Sequence, residues 1–524
     1  MAVNPLIEFG QFDTIVVGGG TTGAVLASRL SEDRGHRVLL LEAGGEPSSG
    51  SETERAVLDA NQAPAIADIS WKIRSYVKTR ETGAMVYYEA GKLLGGSSAI
   101  NAVQALRGTP EDYNEWALSC GPEWSWAGVL PYFKRLEDDP DGSDSLHGRG
   151  GPVQIRRERK EDLRPLQAAL LEACLAQGYG ETPDHNDPAT TGVGVIPKNV
   201  VDGVRMSSAR TYLGHSRHRL NLRIITGALV HRLLWERFPY CSGVEFELNG
   251  QLMRLPAGRV VLCAGAINTP AIVMRSGIGA TSALEPLGID VVQHLRGVGE
   301  NLMDHPAVGI YGIPHPLSCQ RGEPLRQVLL RYSSAHARQQ NDMHIYMMAG
   351  MNPEDMVPGA GNTIPTIAGL TAAYNKSTSR GDVRLVSADP RVLPQVSFNC
   401  LGDPGDVEPM LEGVRLAWQL MQHPSLKSQF VRLLAWTDAM FQSQATLERA
   451  IKTFVRPSAH LGGTAKMGSA LDPEAVVDPS GRLHGVDNVW IADASIMPRI
   501  PSSPTHLTSL MIAEKVAAGL KDLI

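Results

Sequence analysis

The strongest chemical signal in the chain is Gly18-Gly19-Gly20-Thr21-Thr22-Gly23, which spells G-x-G-x-x-G. Each position has a physical job. Gly18 permits a tight turn, Gly20 lets backbone approach a pyrophosphate, and Gly23 lets a helix and a strand pack closely. The helix that follows the glycines offers free N–H groups and its positive dipole end to the phosphates, and Thr21 and Thr22 are counted with the glycines as cofactor-binding residues. Glu42 stands about 20 residues further on, where its carboxylate reaches an adenosine ribose and disfavours a 2′-phosphate. A second loop of small residues, Gly95-Gly96-Ser97-Ser98 with Asn101 and Ala102 just beyond, lets more backbone N–H groups close on a ligand.

These loops need elements to hold them. Thr14 to Val17 is a β-branched run. Val25, Leu26 and Leu30 repeat on one helical face, and Val38 to Leu41 is a second apolar run ending at Glu42. That is strand, tight turn, helix, strand: a βαβ unit. Residues 45–90 read as mixed loop, Pro110 to Leu118 and Leu163 to Gln177 as helices, and 137–153 as a polar, turn-rich connector. Residues 221–266 alternate with period two, as sheet hairpins ending on a buried strand. Glycine motifs thin out over 306–455 and return after 460. The expected fold is therefore α/β: a Rossmann-like dinucleotide-binding domain with an inserted substrate domain built on an antiparallel sheet flanked by helices. The cofactor domain is assigned to 1–155, 200–305 and 456–524, and the substrate domain to 156–199 and 306–455. There is no internal repeat.

Composition narrows the function classes. A chain of 524 residues exceeds one simple domain. Net charge is −6, with 49 basic and 55 acidic residues, so nothing electrostatic favours nucleic acid or an anionic membrane as partner. Cys120, Cys174, Cys241, Cys263, Cys319 and Cys400 lie far apart without a C-x-x-C pair, which fits reduced thiols in a cytoplasmic protein. No removable leader is expected, and no run approaches the roughly 20 apolar residues of a membrane span. No metal is expected, because histidines, cysteines and carboxylates show no ligand spacing. No G-x-S-x-G elbow suggests hydrolysis.

Beyond these readings, the sequence from about residue 12 to 520 resembles the glucose–methanol–choline (GMC) oxidoreductase family. GKLLGGSSAINAVQALRGTPEDYNEWA (91–117) and CAGAINTPAIVMRSGIG (263–279) are similar to its two signatures. GVGENLMDHP (297–306), HLGGTAKMG (460–468) and VDNVWIADASIMP (486–498) also match, in the right order. The resemblance implies FAD as cofactor, a small-molecule alcohol as substrate, and O2 or another electron acceptor, in a monomer or small homo-oligomer. It implies that Asn101 hydrogen-bonds the flavin, that Val230 meets the adenine through its backbone, and that Asp493-Ala494 lies at the ribityl and pyrophosphate end. Some relatives attach FAD through a histidine in the Gly/Ser loop. That position is Ile100 here, so the FAD is expected to be non-covalent.

Alcohol oxidation needs a base for the hydroxyl proton and a hydride acceptor, and a base near neutrality favours histidine. His460 matches the family histidine that precedes a G-T over the flavin. The family's second His or Asn, counted back from Met511-Ile512-Ala513-Glu514-Lys515, falls on Pro504, which has neither donor nor titrating group. The FAD-contacting position falls on His506, with Leu507 after it. Either His460 works alone and Pro504 only shapes the pocket, or a backbone shift brings His506 into the partner role; the first needs no gap. A proline here is similar to pyridoxine 4-oxidase-like members, which oxidise a hydroxymethyl group on a pyridine ring.

His305, in the LMDHP loop, reads as a structural residue, and His185 as part of a solvated turn. Tyr346, Met347 and Met348 read as core before pocket wall. The main expectation is oxidation of a primary alcohol to an aldehyde, as oxidase or dehydrogenase. A hydroxynitrile-lyase-like member, a light-driven decarboxylase and an NAD-dependent dehydrogenase are the competing classes.

Overall fold

The computed structural model describes residues 10–61, 67–79, 83–353 and 366–524. Residues 1–9 of the cofactor stretch, 62–66 and 80–82 of the stretch read as loop, and 354–365 of the substrate stretch lie outside them. A five-stranded parallel sheet runs in the order Leu222–Ile225, Val38–Leu41, Thr14–Val17, Arg259–Leu262, Val489–Ile491. Thr14–Val17 and Val38–Leu41 are buried at every position, as strands covered on both faces must be. Helix Thr21–Leu30 returns from the first strand, completing the βαβ unit.

The last helix, His506–Lys521, closes this layer against the first one. The Arg29 guanidinium donates to both carboxylate oxygens of the fully buried Glu514, at 2.8–3.0 Å, and Tyr212 Oη adds a third donor at 2.8 Å. A buried carboxylate needs such compensation. The helix after the glycine loop and the C-terminal helix are therefore tied together by a buried ion pair.

The period-two stretch divides. Leu222–Ile225 joins the parallel sheet beside Val38–Leu41, Ala228–Arg237, Tyr240–Leu248 and Gln251–Pro256 form an antiparallel meander, and Arg259–Leu262 is the buried central strand. A second sheet is antiparallel, in the order Phe430–Leu433, Pro306–Pro314, Ile367–Tyr374, Met343–Met351, Val328–Tyr332, Gly192–Val195. Helices Val407–Gln422 and Pro165–Ala176 pack on it, so a mixed α/β architecture results.

Two sequence readings are corrected. The stretch read as loop holds helix Glu52–Leu58 and the antiparallel pair Ser70–Tyr76 and Met85–Gly91. The signal was present: Lys72 and Arg74 are exposed while Ile73 and Ser75 are buried, a period-two strand whose buried half is weakened by the polar Ser75. His185 is no solvated turn residue; it is 1% exposed, and the Arg331 guanidinium donates to its carbonyl at 2.6 Å. The polarity of its neighbours in PDHND, not its own burial, gave that reading.

Candidate active site

A cavity of about 460 Å³ runs from the glycine loops to the antiparallel sheet, within the range of small-molecule and cofactor sites. Gly18 turns with φ +98, and a Cβ there would meet the Cys263 carbonyl at 2.6 Å. A Cβ on Gly23 would sit 1.8 Å from the Gly18 carbonyl, which is the close helix–strand packing expected of it. Gly96 has φ +53, and its Cβ would stand 2.7 Å from Gly20 Cα, so the two glycine loops touch. Gly95 N donates to Gly19 O at 2.8 Å and fixes that contact.

Gly20 stands at the N-cap of helix Thr21–Leu30 with no side chain to satisfy its first N–H groups, which leaves them for an anion. Glu42 is buried at the tip of its strand, accepting from Gly19 N at 2.7 Å and Gly44 N at 2.8 Å. Burial pushes its carboxyl up to about 7, while those two N–H groups pull the other way. Asp493 is anchored similarly, accepting from Gly265 N (2.8 Å), Thr269 Oγ1 (2.6 Å) and Ser495 N (2.8 Å).

Gly18, Gly20, Thr21, Thr22, Glu42 and Val230 line this cavity, and so do Asp493 and Ala494. Gly96, Ser97, Ser98, Asn101 and Ala102 line it from the second loop. Ser98 Oγ is spent inside the loop, donating to Gly95 O at 2.5 Å and accepting from Ser208 N at 3.0 Å. Asn101 Oδ1 accepts from Val103 N at 3.0 Å, so its amide NH2 is the part left for a ligand. Gly23 and Gly95 lie behind the surface as packing residues, and Leu507 is fully buried in the core beneath the parallel sheet. Trp71 and Tyr88, from the strand pair not read in the sequence, contribute aromatic wall.

His460, Pro504 and His506 meet in the same cavity. The chain before His460 is tightly held. Buried Asp304 accepts through Oδ1 from His305 N (2.7 Å), Ser458 N (3.2 Å) and His460 N (3.1 Å), and Ala459 is bent to φ +64 between them. Segment 499–504 is held from the other side: Ser502 N and Oγ donate to buried Asp112 at 2.9 and 2.7 Å, and Trp116 Nε1 donates to Arg499 O at 2.8 Å. His506 begins the last helix, and burial lowers its pKa to about 4.

His305 is the residue that the sequence reading undervalued. It is fully buried, with Nδ1 3.0 Å from His460 Nδ1 and Nε2 3.0 Å from the Pro501 carbonyl. The carbonyl can only accept, so His305 Nε2 carries its proton. Burial lowers its pKa to about 4, so the ring is neutral and Nδ1 is bare. His460 Nδ1 must then donate, which leaves His460 Nε2 as the basic nitrogen, with no protein partner among the described residues. Burial, then His305 and Arg326, hold the His460 pKa well below its ordinary value. The only sequence signal was the histidine in LMDHP; its pairing across some 150 residues is a tertiary fact.

The antiparallel sheet supplies the remaining wall with strand alternation. Met347 points into the core under the helices, Met348 lines the cavity, and Tyr346 sits in a small apolar cluster with Leu106 and Leu329. A separate cluster joins Glu137, Asp139 and His147, whose ligand atoms lie within 4.8 Å of one another, a grouping the linear spacing does not reveal. Arg107 pairs with Glu137, Arg157 with Asp139 at 2.6 Å, and His147 Nε2 with Asp184 at 2.8 Å. Three cations thus face three carboxylates, and the cluster is balanced as a buried ion network.

Six cysteines are all buried and unpaired. Among the described residues, no helix is long and apolar enough to cross a membrane.

Family models described as GMC oxidoreductase match residues 12–307 and 377–513. The chain is 35% identical to 5-(hydroxymethyl)furfural oxidase of Methylovorus sp., across 97% of this chain and 98% of that protein. It is 32% identical to oxygen-dependent choline dehydrogenase of Vibrio vulnificus, across 97% and 94%. The solved structure of pyridoxine 4-oxidase from Mesorbium loti superposes with a TM-score of 0.88 at 31% identity, covering 98% of this chain and 99% of that one. With both signature loops folded against one cavity and His460 placed in it, the chain belongs to the GMC oxidoreductase family, enzymes that act on CH–OH groups.

Proposed function

We propose that this protein oxidises a primary alcohol to an aldehyde with non-covalently bound FAD, His460 acting as the base. The observation that carries the reading is the contact of His460 Nδ1 with His305, itself held by the Pro501 carbonyl, which leaves His460 Nε2 free of protein partners among the described residues in the cavity that the glycine loops line. The first turn of helix Thr21–Leu30 would hold the pyrophosphate, Glu42 the adenosine ribose, and Val230 the adenine. The 96–102 loop and Asp493-Ala494 would hold the flavin and ribityl parts. Ile100 offers no nucleophilic nitrogen for attachment.

When bound, FAD supplies a two-electron acceptor for the hydride of the carbinol carbon and is reoxidised by O2 or another acceptor. The protein's share is the proton. His460 Nε2 takes it from the substrate hydroxyl as the C–H bond breaks, so RCH2OH loses one proton and one hydride and becomes RCHO. A half-buried imidazole that is neutral before substrate arrives is ready for this at any pH above its lowered pKa. Pro504 shapes the wall and His506 lies beside it. The single-base reading fits the occupied Nδ1 of His460, because His305 already takes that edge.

Anaerobic mixing with an alcohol panel including pyridoxine, choline and 5-(hydroxymethyl)furfural tests the reading. Bleaching of the flavin band is expected with at least one alcohol, and peroxide formation in air then separates oxidase from dehydrogenase. An unbleached flavin with every alcohol would refute it.

A further inference from the structure

Resting on the alcohol-oxidation reading, we infer that the cavity takes an alcohol that also carries a carboxylate, and that Arg326 is the residue that binds it. Arg326 precedes strand Val328–Tyr332 and lines the same cavity as His460. Its guanidinium carbon lies 4.2 Å from the centroid of the Tyr346 ring, a stacking that fixes the plane of the group. Nη1 donates to Gln104 Oε1 at 3.0 Å, and Nε points at Met348 Sδ at 2.9 Å. Both acceptors are uncharged. Among the described residues no carboxylate pairs with it.

The other charged groups lining the cavity are Glu42, Arg275 and Asp493. Glu42 and Asp493 are held by backbone and hydroxyl donors, and Arg275 Nε donates to the His231 carbonyl at 3.0 Å. Arg326 differs from these in position. It stands at the antiparallel sheet, beside Met348 and within electrostatic reach of His460. A cation in a semi-enclosed cavity without a counter-charge is costly, and a ligand anion removes that cost. The planar guanidinium matches a carboxylate in a bidentate fork. One guanidinium suits a monoanion, and Leu325 and Met348 offer an apolar wall for the spacer between carboxylate and carbinol.

The test uses the flavin-loaded protein and two readouts. Calorimetric titration compares benzoate with methyl benzoate, neither of which can be oxidised. Turnover compares 4-(hydroxymethyl)benzoate with its methyl ester. Benzoate should bind at least about tenfold more tightly, and kcat/KM should favour the acid by a similar factor, as a charge-assisted pair predicts. Both preferences should collapse in Arg326→Met and persist in part in Arg326→Lys. Because the wild-type comparison needs no variant, a misfolded variant does not remove the test. Equal binding and turnover of acid and ester by the wild type would overturn the carboxylate site while leaving alcohol oxidation standing. Failure of both to bleach the flavin, as with every neutral alcohol, would overturn the two together.

Discussion

His305 Nδ1 lies 3.0 Å from His460 Nδ1, and the Pro501 carbonyl at the other edge of His305 decides which of the two donates. The neutral His305 ring accepts, so His460 keeps Nε2 free for the proposed base role. His460→Ala should lower flavin reduction by about 10²–10⁴-fold, the usual contribution of a positioned base. His305→Ala should give a smaller loss, in kcat more than in KM, because it frees the tautomer and rotation of His460 without removing the base. Rapid-mixing reduction kinetics with a reactive alcohol measure both. An unchanged kcat and pH profile in His305→Ala would show that the pair is packing alone.

The lowered pKa of His460 fixes a pH dependence. The base must be neutral to act, and burial, His305 and Arg326 all disfavour its protonated form. As pH falls through 6.5, an ordinary histidine would protonate and activity would drop. Here kcat/KM for a neutral alcohol should stay flat through that point and fall only at lower pH. A half-drop near 6.5 in a pH–rate profile would contradict the assignment.

Gly23 has no room for a side chain, since its Cβ would stand 1.8 Å from the Gly18 carbonyl. Gly23→Ala must push helix Thr21–Leu30 away from the first strand. The purified variant should carry little or no flavin, read as the ratio of flavin to protein absorbance. A fully loaded variant would count against a pyrophosphate site at this helix start.

Ile100, in the small-residue loop that lines the cavity, offers no nucleophilic nitrogen for attachment of the proposed FAD. Acid or heat precipitation should leave the yellow colour in the supernatant. Colour retained in the pellet would mean a covalent bond elsewhere.

The ion network around His147 makes a stability prediction. Burial works against the charge of His147, but Asp139, Asp184 and Glu137 outweigh it and push its pKa up to about 10. A raised folded-state pKa stabilises fully below the unfolded value of 6.5, and the gain is lost as pH rises from there towards about 10. Asp139 and Asp184 have lowered values, so their contribution is present above the unfolded 3.8 and fades below it. His147→Ala leaves buried carboxylates short of a cation and should cost about 3–5 kcal/mol in denaturant unfolding near pH 6.5. The difference from wild type should shrink by pH 10.

The parts of the fold legible beforehand were local ones. The βαβ unit around Gly18 and Glu42 was readable because three glycines, a β-branched run and a helical stripe lie within one short stretch. The strands Ser70–Tyr76 and Met85–Gly91 were missed because buried positions of the first are held by the polar Ser70 and Ser75, which dilutes the apolar half of the alternation, and with them went Trp71 and Tyr88 in the cavity wall. His185 was misplaced because its neighbours are polar while its own side chain is buried.

By itself, the sequence determined the tight glycine turn at Gly18–Gly23, the acidic residue at Glu42, the family, and the histidine at 460. These rest on steric and electrostatic rules that act over a turn or two of chain. Only the tertiary structure decided what stands beside His460. His305, Asp304, Pro501 and Arg326 come from distant segments, brought together by two sheets packing around one cavity. Hydrogen-bond partners and buried charges depend on that packing, because a polar group inside a protein answers to its neighbours in space and not to those along the chain.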